Sequence, residues 1–240
     1  MPSPPLETAR TLAHAAAHLH FAPPVAHVYN PLLYAANAHR QYLERYCRPE
    51  ADVILLGMNP GPWGMAQTGV PFGEVSLVRD WLGITDGVQR PQTEHPKRPI
   101  DGFLCERSEV SGQRLWGWAQ SRFGTPDAFA ARFFVWNYCP LAFMEESGRN
   151  RTPDKLPATE RQPLFAICDQ ALAEITSYIA PSHVLGVGKF SADRARALLG
   201  KDVEIGSILH PSPASPAANR GWAAQVEQQL EALGIELPAP

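Results

Sequence analysis

Cysteine is scarce in this 240-residue chain. There are four, at Cys47, Cys105, Cys139 and Cys168, with no CxxC and no paired spacing. That excludes a disulfide-stapled scaffold and leaves no thiolate set for zinc or an iron–sulfur cluster, so no metal or other cofactor is expected, and a reduced, intracellular compartment is. An excess of positive charge is missing too. With 21 Lys+Arg against 24 Asp+Glu the net charge is −3, so the chain cannot coat nucleic acid by bulk electrostatics and any such binding must be local. The acidic surplus is confined to residues 201–240, with 2 basic and 5 acidic residues; the rest is balanced. No apolar run reaches membrane length, and the proline-flanked start with Glu7 lacks a basic stretch ahead of an apolar one. Neither a membrane span nor a signal peptide is expected. Without repeats, low-complexity tracts or a linker, one domain over residues 1–240 is the expectation.

What is present is a core and many rigid loops. Hydrophobic residues make up 45% and charged ones 19% of the chain, enough to exclude global disorder. Proline outnumbers glycine, 24 to 18, which predicts stiff connections of the kind on which sites are built. Four short apolar runs, Val53–Met58, Phe133–Trp136, Val184–Val187 and Ile205–Leu209, read as buried strands. Helical periodicity is read over 6–20, 32–46, 77–82, 114–122, 163–179, 192–199 and 222–233, and 83–113 reads as one long irregular connection. The alternation predicts an α/β fold, a central four-stranded, mostly parallel sheet with helices on both faces. His14 and His18 lie one helical turn apart, with His20 nearby, but no carboxylate or cysteine completes a metal set, and they read as a helix face.

In such sheets ligands bind outside the carboxyl ends of the strands. The first strand is followed by Asn59-Pro60-Gly61-Pro62, the second by Asn137-Tyr138-Cys139-Pro140, the third ends in Gly186-Val187-Gly188, and the fourth leads into His210-Pro211-Ser212-Pro213. Two amides and an imidazole are thus expected to converge. Each has a structural alternative, since Asn before Pro commonly holds a turn and a buried histidine can simply be satisfied. Segment 57–73 carries five glycines and two flat side chains, Trp63 and Phe72. It lacks the Gly-Lys-Ser/Thr of a phosphate loop, and the 186–188 turn lacks the third glycine of a dinucleotide fingerprint. A flat ligand stacked on an aromatic, held by an amide and touched by an imidazole suggests a nucleobase.

The motifs that carry this reading are GMNPGPWGMAQTGVPFGEVSLVRDWLGI at 57–84, EHPKRP at 94–99, SEVSG at 108–112, NYCPL at 137–141, SGRN at 147–150, and HPSP at 210–213 with Asn219-Arg220-Gly221-Trp222 after it. Over residues 25–235 the chain resembles the single-strand-selective monofunctional uracil-DNA glycosylases of the uracil-DNA glycosylase superfamily. The resemblance implies a four-stranded parallel sheet in one domain, no cofactor, a monomer, and DNA containing uracil or modified uracil as partner, double-stranded as well as single-stranded. It implies roles as well. Asn59 positions the hydrolytic water, Phe72 stacks on the flipped base, Asn137 reads the pyrimidine edge and His210 steadies the departing base. Met58, Gly61 and Met65 shape the pocket wall, while Pro211, Ser212, Pro213, Ala214 and Arg220 meet DNA. One departure stands out. The family carries an arginine wedge directly after HPSP, where this chain has Ala214, and Ser215 stands where a polar amide is usual.

The chemistry suits these residue types. Hydrolysis of an N-glycosidic bond passes through an oxocarbenium-like sugar and a departing base anion, so a donor to the base's O2 is the main requirement, and His210 can supply it. Asn59 can orient water but cannot take its proton. Lys97, Arg98, Arg149, Arg151, Lys189 and Arg220, with Ser111 and Ser212, are the candidates for phosphate contact. Two other readings stay open: excision of deaminated purines such as hypoxanthine or xanthine on the same fold, and a catalytically silent module that binds damaged DNA.

Overall fold

Residues 4–49, 51–200 and 203–238 are described in the computed structural model. In chain order the elements are α1 (Pro4–Ala17), β1 (Val25–Tyr29), α2 (Pro31–Tyr34), α3 (Ala36–Tyr46), β2 (Val53–Gly57), α4 (Met65–Thr68), α5 (Val75–Asp80), α6 (Val110–Phe123), α7 (Pro126–Ala130), β3 (Phe133–Asn137), β4 (Ala142–Glu145), β5 (Asn150–Arg151), α8 (Ala158–Ile179), β6 (His183–Val187), α9 (Lys189–Leu198), β7 (Glu204–Ile208) and α10 (Trp222–Ala232). The four apolar runs form one parallel sheet in the order β3-β2-β6-β7. β2 and β3 are buried at every position, as strands covered on both faces must be. Because the chain leaves β2 toward β3 and then crosses back to β6 and β7, right-handed crossovers put the helices before β3 on one face and α8 and α9 on the other. α9 packs on β6 and β7, and α10 on β7 and α6. Gly186 lets α9 come this close: a Cβ there would lie 2.1 Å from the Ala192 nitrogen.

A second sheet of three antiparallel strands, β1-β4-β5, was not expected. Its strands are short, β5 having only 2 residues, and too mixed in polarity to show a period. Several expected boundaries also move. The 6–20 helix ends at Ala17, and the 32–46 helix breaks at Ala35, whose backbone leaves helical geometry (φ −110°). The helix expected from Pro163 starts at Ala158, with Pro163 inside it. The connection 83–113 yields its last residues to α6 and contains one short turn of 3-10 helix at Gly102–Leu104.

That connection is held by a side chain rather than by a ladder. Gln67, fully buried, donates to the carbonyls of Pro62 and Pro99, both at 2.9 Å, and accepts from the amides of Asp101 and Gly102 at 2.9 and 3.0 Å. All of its amide capacity is used inside. It welds the glycine-rich segment after β2 to the long loop. No described helix is long and apolar enough to cross a membrane.

Candidate active site

The carboxyl ends of three of the four parallel strands, β2, β3 and β7, lead into one cavity of about 410 Å³, lined by residues that include Met58, Asn59, Gly61, Phe72, Asn137 and His210. The volume suits a small flat ligand. Each lining group is fixed by a local device. The Tyr138 amide donates to the Gly57 carbonyl at 3.0 Å and the Cys139 amide to that of Met58 at 2.8 Å, so the loops after β2 and β3 are stitched together. Behind them the Tyr138 hydroxyl donates to Asp169 at 2.7 Å, and Arg194 holds the same carboxylate through two contacts of 2.6 and 2.5 Å. Asn137 is thereby braced on both sides.

Asn137 is buried, and its nitrogen lies 3.2 Å from the Met65 sulfur while its Oδ1 has no partner. A buried acceptor left open is costly unless a ligand donates to it. Met65 therefore acts from behind the wall, orienting the amide, rather than lining the cavity itself. Asn59 Nδ2 donates to the Leu141 carbonyl at 3.1 Å, which commits the nitrogen and leaves the oxygen to accept from water. The Ser212 amide donates to His210 Nδ1 at 3.0 Å, so Nδ1 carries the lone pair and the proton sits on Nε2. Burial pushes the His210 imidazole below its ordinary range, which keeps the ring neutral near pH 7 and Nε2–H a donor.

Phe72 has a left-handed backbone, φ +54°, rare for a non-glycine residue. It is held there by α6: the Trp116 indole donates to the Pro71 carbonyl at 3.0 Å, and Gly112 comes so near that a Cβ would lie 2.0 Å from the Phe72 carbonyl oxygen. The Phe72 and His210 ring centroids are 6.1 Å apart. Trp63, the other flat side chain of this segment, is not part of the cavity. Its ring is covered by the guanidiniums of Arg98 and Arg107, 5.1 and 4.5 Å from its centroid.

The HPSP loop is anchored by a residue that sequence reasoning passed over. Arg114 on α6 donates to the Pro211 carbonyl at 3.0 Å and to Asn219 at 2.8 Å, and Asn219 in turn donates to the Pro213 carbonyl at 2.9 Å. Pro211 is buried, whereas Pro213, Ala214 and Arg220 are exposed at the loop surface. Ser111 and Ser212 line the cavity. Of the cationic candidates, Arg151 is paired with Glu145 at 2.8 Å and Lys189 with Asp193 at 2.6 Å. Lys97, Arg149 and Arg220 are exposed and have no ion pair among the described residues.

Three further lining residues, Glu109, Asn150 and Thr152, were missed. The first sits at the end of the stretch read as irregular connection, and the other two on and beside a strand too short to detect. Glu109 lies in the SEVSG motif and Asn150 in SGRN, which mark the place without assigning a role, and Thr152 lies two residues beyond the second. No group of three or more His, Cys, Asp or Glu positioned to hold a metal ion occurs among the described residues.

Comparison with known proteins gives the arrangement a lineage. Residues 44–233 match the family model of the uracil DNA glycosylase superfamily. The single-strand selective monofunctional uracil-DNA glycosylase of Rattus norvegicus is 50% identical over 220 residues, 90% of this chain and 79% of that one. The corresponding protein of Bos taurus is 49% identical over 90% of this chain and 81% of its own. Among solved structures, wild-type SMUG2 of Pedobacter heparinus superposes with a TM-score of 0.64, covering 95% of this chain and 97% of that one; at 16% identity it speaks for the fold. With a family model over most of its length and relatives at half identity, this chain belongs to the uracil DNA glycosylase superfamily, in its single-strand selective monofunctional branch.

Proposed function

We propose that this chain excises uracil, and 5-substituted uracils such as 5-hydroxymethyluracil, from single- and double-stranded DNA by hydrolysing the N-glycosidic bond, leaving an abasic site. The observation that carries this is the pairing of an open, braced amide at Asn137 with a neutral imidazole donor at His210 across one cavity that Phe72 also lines.

A base turned out of the stack, at a cost of a few kcal/mol in a duplex, stacks on Phe72, which returns about 1–3 kcal/mol. Asn137 Oδ1 accepts from the uracil N3–H and its nitrogen donates to O4. Cytosine presents the opposite pattern and is refused. As the C1′–N1 bond stretches, negative charge gathers on O2, and His210 Nε2–H donates to it; a fixed donor in a water-poor site stabilises such charge by roughly 3 kcal/mol. Asn59 Oδ1 holds the water that adds to C1′, with its proton passing to solvent and the base leaving as an anion. No lysine among the described residues lines the cavity, which suits hydrolysis without a Schiff base and hence without strand cleavage. The chain acts as a monomer inside the cell, a setting that suits its four free, buried cysteines.

Oligonucleotides carrying a single uracil, 5-hydroxymethyluracil, hypoxanthine or thymine test the reading directly. Strand breaks that appear only after alkali, on the first two substrates, are the expected result. Breaks on hypoxanthine alone would move the substrate to deaminated purines, and binding with no abasic product would leave a silent binding module.

Ala214 makes its own prediction. Its amide donates to Ser212 Oγ at 3.1 Å, and the side chain is a solvent-facing methyl on a loop clamped by Arg114. A methyl neither fills the gap left by an extruded base nor adds charge. Ala214→Arg is expected to tighten binding of duplex uracil DNA more than single-stranded DNA and to steepen the salt dependence by about one phosphate equivalent. Titrations of both substrates at two salt concentrations check it; equal gains on both strands would show that no wedge is missing.

A further inference from the structure

Among the described residues Glu109 is the one carboxylate lining the cavity, and nothing in the reaction described so far uses it. It stands at the N-cap of α6 but makes no capping hydrogen bond. It forms no ion pair among the described residues, and its Oε2 is sealed from solvent without a partner. Two glycines make its place. A Cβ on Gly61 would lie 2.5 Å from Oε2 and one on Gly64 1.8 Å from it, so the carboxylate occupies the space where side chains of the 61–64 loop would otherwise be. A buried carboxylate with an unused acceptor is costly to maintain. Burial, with the Glu74 carboxylate adding to it, pushes its carboxyl up to about 7.

The position of the base follows from the groups already assigned. With N3 and O4 on Asn137, O2 on His210 and one ring face on Phe72, the C5–C6 edge is the part left to the remaining wall. Asn59 is taken by the water, and the lining residues without a role include Gly61, Asn150, Thr152 and Glu109; of these Glu109, laid against Gly61, is the one that carries a carboxylate.

We propose that Glu109 is a specificity-determining residue that faces the C5 edge of the flipped pyrimidine, its carboxylate accepting a hydrogen bond from a donor substituent on C5 and disfavouring a bare methyl. The inference rests on the glycosylase reading above. A 5-hydroxymethyl group brings an O–H that satisfies the carboxylate. A 5-methyl group set against the carboxylate offers it no hydrogen bond, so thymine is disfavoured by chemistry rather than by lack of room. For uracil itself the edge is a C–H, and the carboxylate remains as it was.

The test is single-turnover excision at pH 8, where the carboxyl is mostly ionised, by wild type, Glu109→Gln and Glu109→Leu on oligonucleotides with uracil, 5-hydroxymethyluracil or thymine. In Glu109→Leu the ratio of 5-hydroxymethyluracil to uracil excision is expected to fall by about tenfold to a hundredfold, the range for losing a hydrogen bond to a charged group. Thymine excision rises in the same variant. Glu109→Gln keeps an acceptor but not its charge, and a fall of about fivefold is expected. Thermal unfolding of each variant reports that it is folded, and the ratio to uracil excision, rather than the uracil rate itself, is the readout. If Glu109→Leu does not fold, the glutamine variant decides alone. A ratio unmoved in the folded variants, with uracil still excised, overturns the assignment of Glu109 and leaves the glycosylase standing; a wild type that releases neither base overturns both.

Discussion

Replacing His210 by alanine is expected to slow uracil excision by about a hundredfold to a thousandfold, the usual consequence of removing one oxyanion donor, while leaving DNA affinity close to wild type. The imidazole earns this weight by its tautomer: the Ser212 amide on Nδ1 at 3.0 Å places the proton on Nε2 before substrate arrives, and burial keeps the ring neutral. Asn59→Ala should cost less, about tenfold to a hundredfold, since water can still reach C1′ but is no longer held. In the proposed reaction both side chains act after the base has entered, so the loss is expected in the chemical step and not in binding. Single-turnover kinetics beside equilibrium titration separate the two, and near-normal rates in both variants would remove these residues from the reaction.

Gly57→Ala should be as damaging although it adds only a methyl. Its Cβ would lie 2.2 Å from Asn137 Oδ1 and 2.5 Å from the Phe72 ring. The backbone at Gly57 is paired with Asn137 of β3 and follows directly on Leu56, paired on both sides, which limits its retreat, so the amide and the ring must give way, by about 1 Å each to restore ordinary contact. A misplacement of that size costs about a hundredfold in rate. Gly117→Ala on α6 is the control, because a Cβ there meets nothing within 4 Å, and it should be neutral or slightly stabilising. Measured kcat/KM on a uracil oligonucleotide, with thermal unfolding of both variants, checks the pair; a fully active Gly57→Ala would mean that Asn137 and Phe72 do not receive the base where they now stand.

Of the four parallel strands, β2, β3 and β6 were legible as short apolar runs buried almost throughout, while β7, at the sheet edge with Glu204 and Ser207 exposed, is less covered than its expected burial; the strand-end rule then pointed to Asn59, Asn137 and His210. What was illegible has physical reasons. β1 is buried only at its two ends, β4 has four residues and β5 two, so none shows the continuous apolar run that marked the parallel strands. α4 and α7, at four and five residues, show no helical period. The break at Ala35 has no proline or glycine to announce it. Arg114 and Gln67 were invisible for another cause: their work is done by hydrogen bonds to residues 97 and 35 positions away, a distance that no local pattern encodes. Trp63 shows the converse. A flat side chain in a glycine-rich loop suggested a stacking face, and only the structure reveals two arginines lying on it.

The left-handed backbone at Phe72 bears on the thermodynamics of capture. Most residues that stack on a ligand lose rotamer and loop freedom when the ligand arrives, at about 0.5–1.5 kcal/mol for each side chain immobilised. Here the indole of Trp116 and the close approach of Gly112 hold the Phe72 backbone in that conformation, so the ordering is complete once the protein has folded. Folding bears the entropy loss and a strain of about 1–3 kcal/mol; in the proposed reaction the arriving base meets a ring already at rest. The enzyme's hold on a turned-out base therefore reflects stacking and hydrogen bonding with little deducted for disorder in the pocket.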